Sequence, residues 1–230
     1  MLLQAHDLVY RYAAGSAGAA ALDGASLEVQ AGEQVAIVGP SGSGKTTLLY
    51  CLAGIVVPTE GEVRLDGQGL SGRSDAERAR VRLERFGFVF QFAELVAELT
   101  LRENVELPVR LLGHSARQCR QRAEALMGRL GIGELADRLP AQVSGGQAQR
   151  CAVARALVHG PAVVLADEPT GSLDRATGRT TLSELLGVCA EADAALIVVT
   201  HDEAIADQLG RRIHVADGRC FQNAPSGGAI

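Results

Sequence analysis

The chain has 230 residues, 47% hydrophobic and 21% charged, which excludes the disordered and fibrous classes and leaves a globular domain that needs no covalent staples. Its 22 basic residues stand against 27 acidic ones, a net charge of −5, so bulk binding to nucleic acid or to an anionic membrane is excluded. Any phosphate must be held by a local site. The five cysteines (Cys51, Cys119, Cys151, Cys189 and Cys220) form no CxxC pair, which predicts a reducing compartment and neither zinc site nor disulfide framework. No basic start leads into an apolar core, and no apolar run approaches the roughly 18 residues of a membrane span. A cytoplasmic chain is expected.

In chain order, residues 2–30 read as antiparallel strands, and Gln34–Val38 (QVAIV) as a short buried strand. It runs into GPSGSGKTT, made of Gly39, Pro40, Ser41, Gly42, Ser43, Gly44, Lys45, Thr46 and Thr47, and then into an apolar helical stretch. Strand, glycine loop and helix is the setting of a phosphate loop. Its glycines let main-chain amides turn toward a phosphate, and the helix start adds its positive end. Lys45 would reach the β- and γ-phosphates, and the Thr46 hydroxyl a Mg²⁺. Lys45 is also the single lysine among the 22 basic residues; the others are all arginine. Only there does the chain need a compact ammonium instead of a planar fork.

Further strands are predicted around 62–65 and over 86–91 (FGFVFQ), with an Arg-rich helix over 75–85 between them. From Gln91 to Ser144 the pattern is helical. Arg117, Arg120, Arg122 and Arg129 there read as a solvated helix face. Ser144 and Gln147 have the spacing of a capping box that starts a helix. A capping box leaves Gly145 and Gly146 unexplained, since each glycine costs about 1 kcal/mol in a helix relative to alanine. Bare backbone at a helix start suits a close anion, and a second anion-facing start in one chain suggests a site shared between two copies. Strand 162–166 (AVVLA) ends in Asp167 and Glu168. Strand alternation would send these carboxylates to opposite sides, one for the shell of a metal and one for an attacking water. After residue 160 strands and helices alternate as parallel βα units to about residue 222.

GPSGSGKTT, VSGGQAQR and VVLADEP, in this order, resemble the Walker A, signature and Walker B segments of ABC-type ATPase domains, over about residues 1–222. The resemblance implies an α/β P-loop ATPase with a mostly parallel core sheet (about 1–90 and 161–222), an antiparallel β subdomain and an inserted helical subdomain (about 91–160). Residues 223–230 are expected to be a disordered tail. It implies ATP and Mg²⁺ as ligands and further roles by position. Tyr12 resembles the aromatic residue that stacks on adenine, with Tyr10, two residues away on the same strand face, as its rival. Gln91 resembles the glutamine that contacts Mg²⁺ and water, alongside Thr46 and Asp167 as metal ligands. Glu168 resembles the general base and His201, after the strand ALIVVT, the histidine near the γ-phosphate. Ser144, Gly145, Gly146 and Gln147, with Asp174 of the segment Ser172–Asp174, face nucleotide across a dimer. Val143 departs from the usual leucine.

FGFVFQ, LTLRENVELP and ADEPTGSLD are most similar to the lipoprotein-release and macrolide-export group. An ATPase subunit is therefore expected, peripheral on the inner face of a cell membrane through a separate integral membrane permease. Two copies, or one with a relative, would pair, and no nucleic acid is expected. Phe92–Leu101 is the region that receives the membrane subunit in this family, and equally reads as packing of the helical subdomain. An importer or cell-division ATPase, or a soluble ABC ATPase acting on nucleic acid, are the alternatives.

Overall fold

The computed structural model describes residues 1–12 and 20–222. The expected tail at 223–230 lies outside them. Two compact units form, one from residues 1–82 with those from 197 onward, the other from residues 83–196.

In the first unit, β1 (Leu3–Tyr10) pairs antiparallel with β2 (Leu22–Val29) and β4 (Glu60–Leu65), and β5 (Gln68–Gly69) extends the sheet beyond β4. Leu3, Ala5 and Leu8 are fully buried. A bulge breaks the alternation between Ala5 and Leu8, with Asp7 at φ 48°. The Ser26 hydroxyl holds that bulge through the Asp7 amide at 2.8 Å. A Cβ at Gly61, on the neighbouring strand, would stand 2.3 Å from the His6 carbonyl. No side chain fits there, so the bulge dictates the glycine.

A second strand layer places β3 (Gln34–Val38) parallel to β9 (Arg211–Ala216), with β10 (Arg219–Gln222) antiparallel on the far side of β9. Four of the five β3 residues are buried, as suits a parallel strand covered on both faces. It feeds α1 (Lys45–Leu52), which buries Leu48, Leu49 and Leu52. The carbonyl end of α1 is held by charge. Arg82 donates to the Gly54 carbonyl at 2.7 Å and Arg78 to the same oxygen at 3.1 Å, both from α2 (Asp75–Arg85). Two guanidinium groups thus meet the negative end of the helix that carries the glycine loop. β8 (Ala195–Val199), wholly buried, leads through Thr200 to α7 (Glu203–Ala206).

The second unit pairs β6 (Phe86–Val89) parallel with β7 (Val163–Asp167). Between residues 91 and 160 the described chain has helices and turns and no strand: α3 (Leu101–Leu111), α4 (Ala116–Arg129) and α5 (Gly145–Leu157), followed after β7 by α6 (Arg175–Glu191). α3 buries Leu101, Val105 and Val109, and α4 buries Cys119, Ala123 and Met127. The spacing of four puts each set on one helix face. Each fully buried Leu, Val or Met contributes about 1.5–3 kcal/mol. α5 lies so close to β6 that a Cβ at Gly87 would stand 2.1 Å from the Ala156 carbonyl. The four arginines of the 117–129 stretch are exposed. Arg120 pairs with Glu124 one turn on, and Arg129 grips Glu191 of α6 through two nitrogens.

The α/β architecture, with its parallel strand pairs, antiparallel sheet and helical run, agrees with the sequence expectation. Two local readings need correction. β1 ends at Tyr10, so Tyr12 lies beyond the strand and does not share a strand face with Tyr10. β7 ends at Asp167, and Glu168 takes a left-handed φ of 48°. Strand alternation therefore does not set the direction of Glu168. The turn does.

Candidate functional site

In the first unit the glycine loop Gly39–Gly44 joins β3 to α1, with Gly39, Gly42 and Gly44 at φ 153°, 79° and 103°. At Gly39 and Gly44 the neighbouring chain forbids a side chain. A Cβ would stand 2.1 Å from the Val215 carbonyl at the first and 2.3 Å from the Ala21 carbonyl at the second. Gly42 has open space around it, so there conformation alone calls for glycine. Lys45 folds back over the loop, its Nζ donating to the carbonyls of Gly39 and Pro40 at 2.8 Å each. Its ammonium is thereby fixed at the loop mouth, beside the first turn of α1. Pro40, Ser41, Gly42 and Thr46 are exposed, while Ser43 and Thr47 are buried. This is an arrangement for receiving an anion: a helix start, a cation and a glycine-bearing main chain in one place.

Tyr12 joins this loop. Its hydroxyl lies 2.9 Å from the Thr47 hydroxyl, and its ring meets Tyr10 edge-on at 5.0 Å between centroids. The ring is 60% exposed, which leaves a flat aromatic surface at the loop for a base to cover. Of the two tyrosines, Tyr12 is the one tied to the loop. His201, exposed, follows the buried Thr200, whose amide is bonded to the Ile37 carbonyl at the end of β3. His201 thus lies just past β8, beside the Thr200 link to β3, the strand that leads to the loop.

The second unit gathers the remaining candidates. Gln91 follows β6, and a Cβ at Gly171 would stand 3.1 Å from its side-chain nitrogen. The Ser172 hydroxyl donates to the Gln91 carbonyl at 2.7 Å. Glu168 opens the turn between them, its carbonyl accepting from the Gly171 amide at 2.9 Å. A non-glycine residue in the left-handed region stores strain of about 1–3 kcal/mol, the kind retained where a side chain must be aimed. Asp167, Glu168, Gly171, Ser172 and Gln91 are therefore collected at one turn.

Ser144 and Gln147 form the full capping box at the start of α5. The two glycines inside it differ. Gly145 is exposed, and a Cβ there would meet Leu173 at an ordinary 3.6 Å. Gly146 is buried, and a Cβ would stand 2.4 Å from the Thr177 methyl. Packing against α6 accounts for Gly146, so close approach of an anion is needed only to explain Gly145. Gly146→Ala should lower the melting temperature, because the clash costs about 1–3 kcal/mol against a helix-propensity gain of about 1 kcal/mol. Adding Thr177→Ser should restore it. A Gly146→Ala chain that melts higher than the parent would remove this explanation.

Asp174 caps α6, accepting from the amides of Ala176 and Thr177 at 3.0 and 3.1 Å. Hydrogen bonds from the Thr177 side chain and main chain hold its carboxyl below the usual range. The sequence reading did not single out Gln149 or Arg155. Buried Gln149 donates to the carbonyls of Phe90 and Pro169, both at 2.7 Å, and Arg155 holds Ala93 and Glu94. The available signal was weak: Gln149 and Arg155 are two of four long polar side chains, with Gln147 and Arg150, in a helix otherwise small and apolar, GGQAQRCAVARAL.

The sequence pattern of the ABC transporter family matches residues 22–171. The chain is 43% identical over 225 residues to the lipoprotein-releasing system ATP-binding protein LolD of Xanthomonas oryzae pv. oryzae, covering 98% of this chain and 92% of that protein. It is 42% identical over 217 residues to LolD of Gluconobacter oxydans, covering 94% of each. Among solved structures it is similar to the ATP-binding cassette MJ0796 in a dimeric post-hydrolysis state bound to ADP and Pi. That likeness has a TM-score of 0.88 at 36% identity, over 99% of this chain and 100% of the other.

Proposed function

The chain belongs to the ABC transporter family, and we propose that it drives a complex of the lipoprotein-releasing type, working mechanically on a separate membrane permease. It is an ATP-binding ABC ATPase subunit. The observation that carries the finer reading is the match to LolD over 98% of the chain at 43% identity. Among the described residues no helix is long and apolar enough to cross a membrane. The chain would therefore reach the inner face of the cell membrane from the cytoplasm through its permease. A cassette of this family has been solved as a dimer, and two copies, or one copy and a relative, would pair here.

The residues take these roles. Tyr12 carries adenine on its exposed ring. The loop Gly39–Thr47 binds the phosphates through its main-chain amides, of which Pro40 has none to give, and Lys45 neutralises the β- and γ-phosphates. Thr46, Gln91 and Asp167 offer a hydroxyl, an amide carbonyl and a carboxylate, hard oxygen donors that fit Mg²⁺. When bound, Mg²⁺ supplies charge neutralisation on the phosphate oxygens. Glu168 takes the proton of the attacking water, and His201 faces the γ-phosphate. Ser144, Gly145, Gly146, Gln147 and Asp174 serve the nucleotide of the second copy. Residues 1–222 act as one ATPase domain, with 91–160 as the helical subdomain through which the permease is moved.

The test is to purify tagged Glu168→Gln chain from its native membranes in mild detergent with ATP, and to identify what accompanies it. A stoichiometric membrane protein with few spans and a large external domain is expected. A many-span permease would replace this reading with an importer or channel-type exporter. An ATP-dependent dimer with nothing membranous would point to a soluble ATPase.

A further inference from the structure

Gln91 sits in a segment without helix or strand of its own, yet its main chain is held from outside. Before it, Gln149 of α5 holds the Phe90 carbonyl at 2.7 Å; at it, the Ser172 hydroxyl holds its own carbonyl at 2.7 Å. Just after it, Arg155 of α5 donates from Nη2 to the Ala93 carbonyl at 2.8 Å and from Nη1 to the Glu94 carbonyl at 2.7 Å. Farther on, buried Asn104 of α3 binds the Val96 amide at 2.8 Å and the Val96 and Leu99 carbonyls at 3.0 and 3.1 Å. The side chains of Phe92 and Val96 meanwhile stay exposed. Polar side chains from outside the segment hold its main chain, while Phe92 and Val96 contribute little burial.

Arg155 is the critical member of this set. Its planar fork meets two successive carbonyls with two separate nitrogens held in fixed geometry. Burial lowers its pKa, and nearby Cys151 and Glu94 act in the opposite sense; the guanidinium stays charged throughout. Glu94, the second carbonyl it holds, lies in the left-handed region at φ 46°, a conformation that persists only when its surroundings enforce it. Releasing the fork would let that turn relax two to three residues from Gln91.

We propose that Arg155 is a positioning residue for Gln91, locking the carbonyls of Ala93 and Glu94 to α5 so that the Gln91 amide keeps its working position. The helix that starts at Ser144 thereby also sets the placement of Gln91. This inference rests on the reading of Gln91 as a contact to Mg²⁺ and water.

The test is a double-mutant cycle on the full chain with ATP: parent, Gln91→Ala, Arg155→Met and both together. Arg155→Met should lower kcat roughly 10- to 100-fold, the usual cost of a small misplacement near the chemistry, and leave KM for ATP unchanged. The double variant should be no slower than Gln91→Ala alone. Arg155→Lys should recover part of kcat, and main-chain amides of 92–96 should exchange faster in Arg155→Met than in the parent. If Arg155→Met fails to fold, Arg155→Lys goes through the same cycle. Additive losses, a raised KM with unchanged kcat, or a parent-like Arg155→Met would overturn the proposal while leaving Gln91 its role. A Gln91→Ala chain that turns over at the parent rate would overturn the role of Gln91 and the positioning argument with it.

Discussion

Glu168→Gln is expected to bind ATP as tightly as the parent and to hydrolyse it at least about 100-fold more slowly, the range lost with a positioned general base. The carboxylate follows the last residue of β7 and sits in a turn closed by the Gly171 amide, with its main chain at φ 48°. That turn aims the side chain independently of the strand. In the reaction, the water oxygen bonds to the γ-phosphorus while the bond from that phosphorus to the β–γ bridging oxygen breaks. ADP leaves with the electron pair of that bond, and in the role proposed for it Glu168 takes the water proton. Glutamine keeps the size and shape of the side chain but cannot take that proton. The variant should then accumulate as an ATP-bound dimer, since closure no longer ends in hydrolysis. Phosphate release in single-turnover conditions, with size-exclusion chromatography plus and minus ATP, checks both halves. Turnover at the parent rate would remove Glu168 as the base.

Glu168 also marks where sequence reading stops. The strands Gln34–Val38 and 162–166 were legible because a parallel strand covered on both faces must be almost wholly apolar. The observed strands are Gln34–Val38 and Val163–Asp167. The capping box at Ser144 was legible because it is local chemistry over four residues. The direction of Glu168 was not, since a single left-handed residue just past the strand end takes it out of the alternation. Tyr12 was misplaced on a strand for the same kind of reason: β1 ends two residues before it.

Other features were hidden by distance along the chain. Arg155 meets residues 61 and 62 positions away, and Gly146 is explained by a threonine on another helix. No window of 11–18 residues contains such pairs, so periodicity cannot report them. The glycine loop shows both cases at once. Its spacing announced a phosphate site, but only the structure separates Gly42, needed for conformation, from Gly39 and Gly44, needed also because carbonyls of Val215 and Ala21 come too close.

Replacing Lys45 with alanine should weaken ATP binding by about 2–3 kcal/mol, a factor of roughly 30 to 150, as expected for lost hydrogen bonds between charged partners. The fold should survive, because Lys45 is only part-buried and water can reach the Pro40 carbonyl that it leaves. Arginine should not substitute. The ammonium lies 2.8 Å from two carbonyls at once, five and six residues back along the same loop. A longer planar fork would have to leave those oxygens or push into the space for the phosphates. The composition carries the same message, with arginine at every basic position but this one. Titration of a fluorescent ATP analogue against parent, Lys45→Ala and Lys45→Arg separates the possibilities, with circular dichroism as the check on folding. Weak binding by both variants supports a compact cation held at the loop mouth. Parent-like affinity in Lys45→Arg would show that charge alone matters there, and parent-like affinity in Lys45→Ala would remove the loop as the phosphate site.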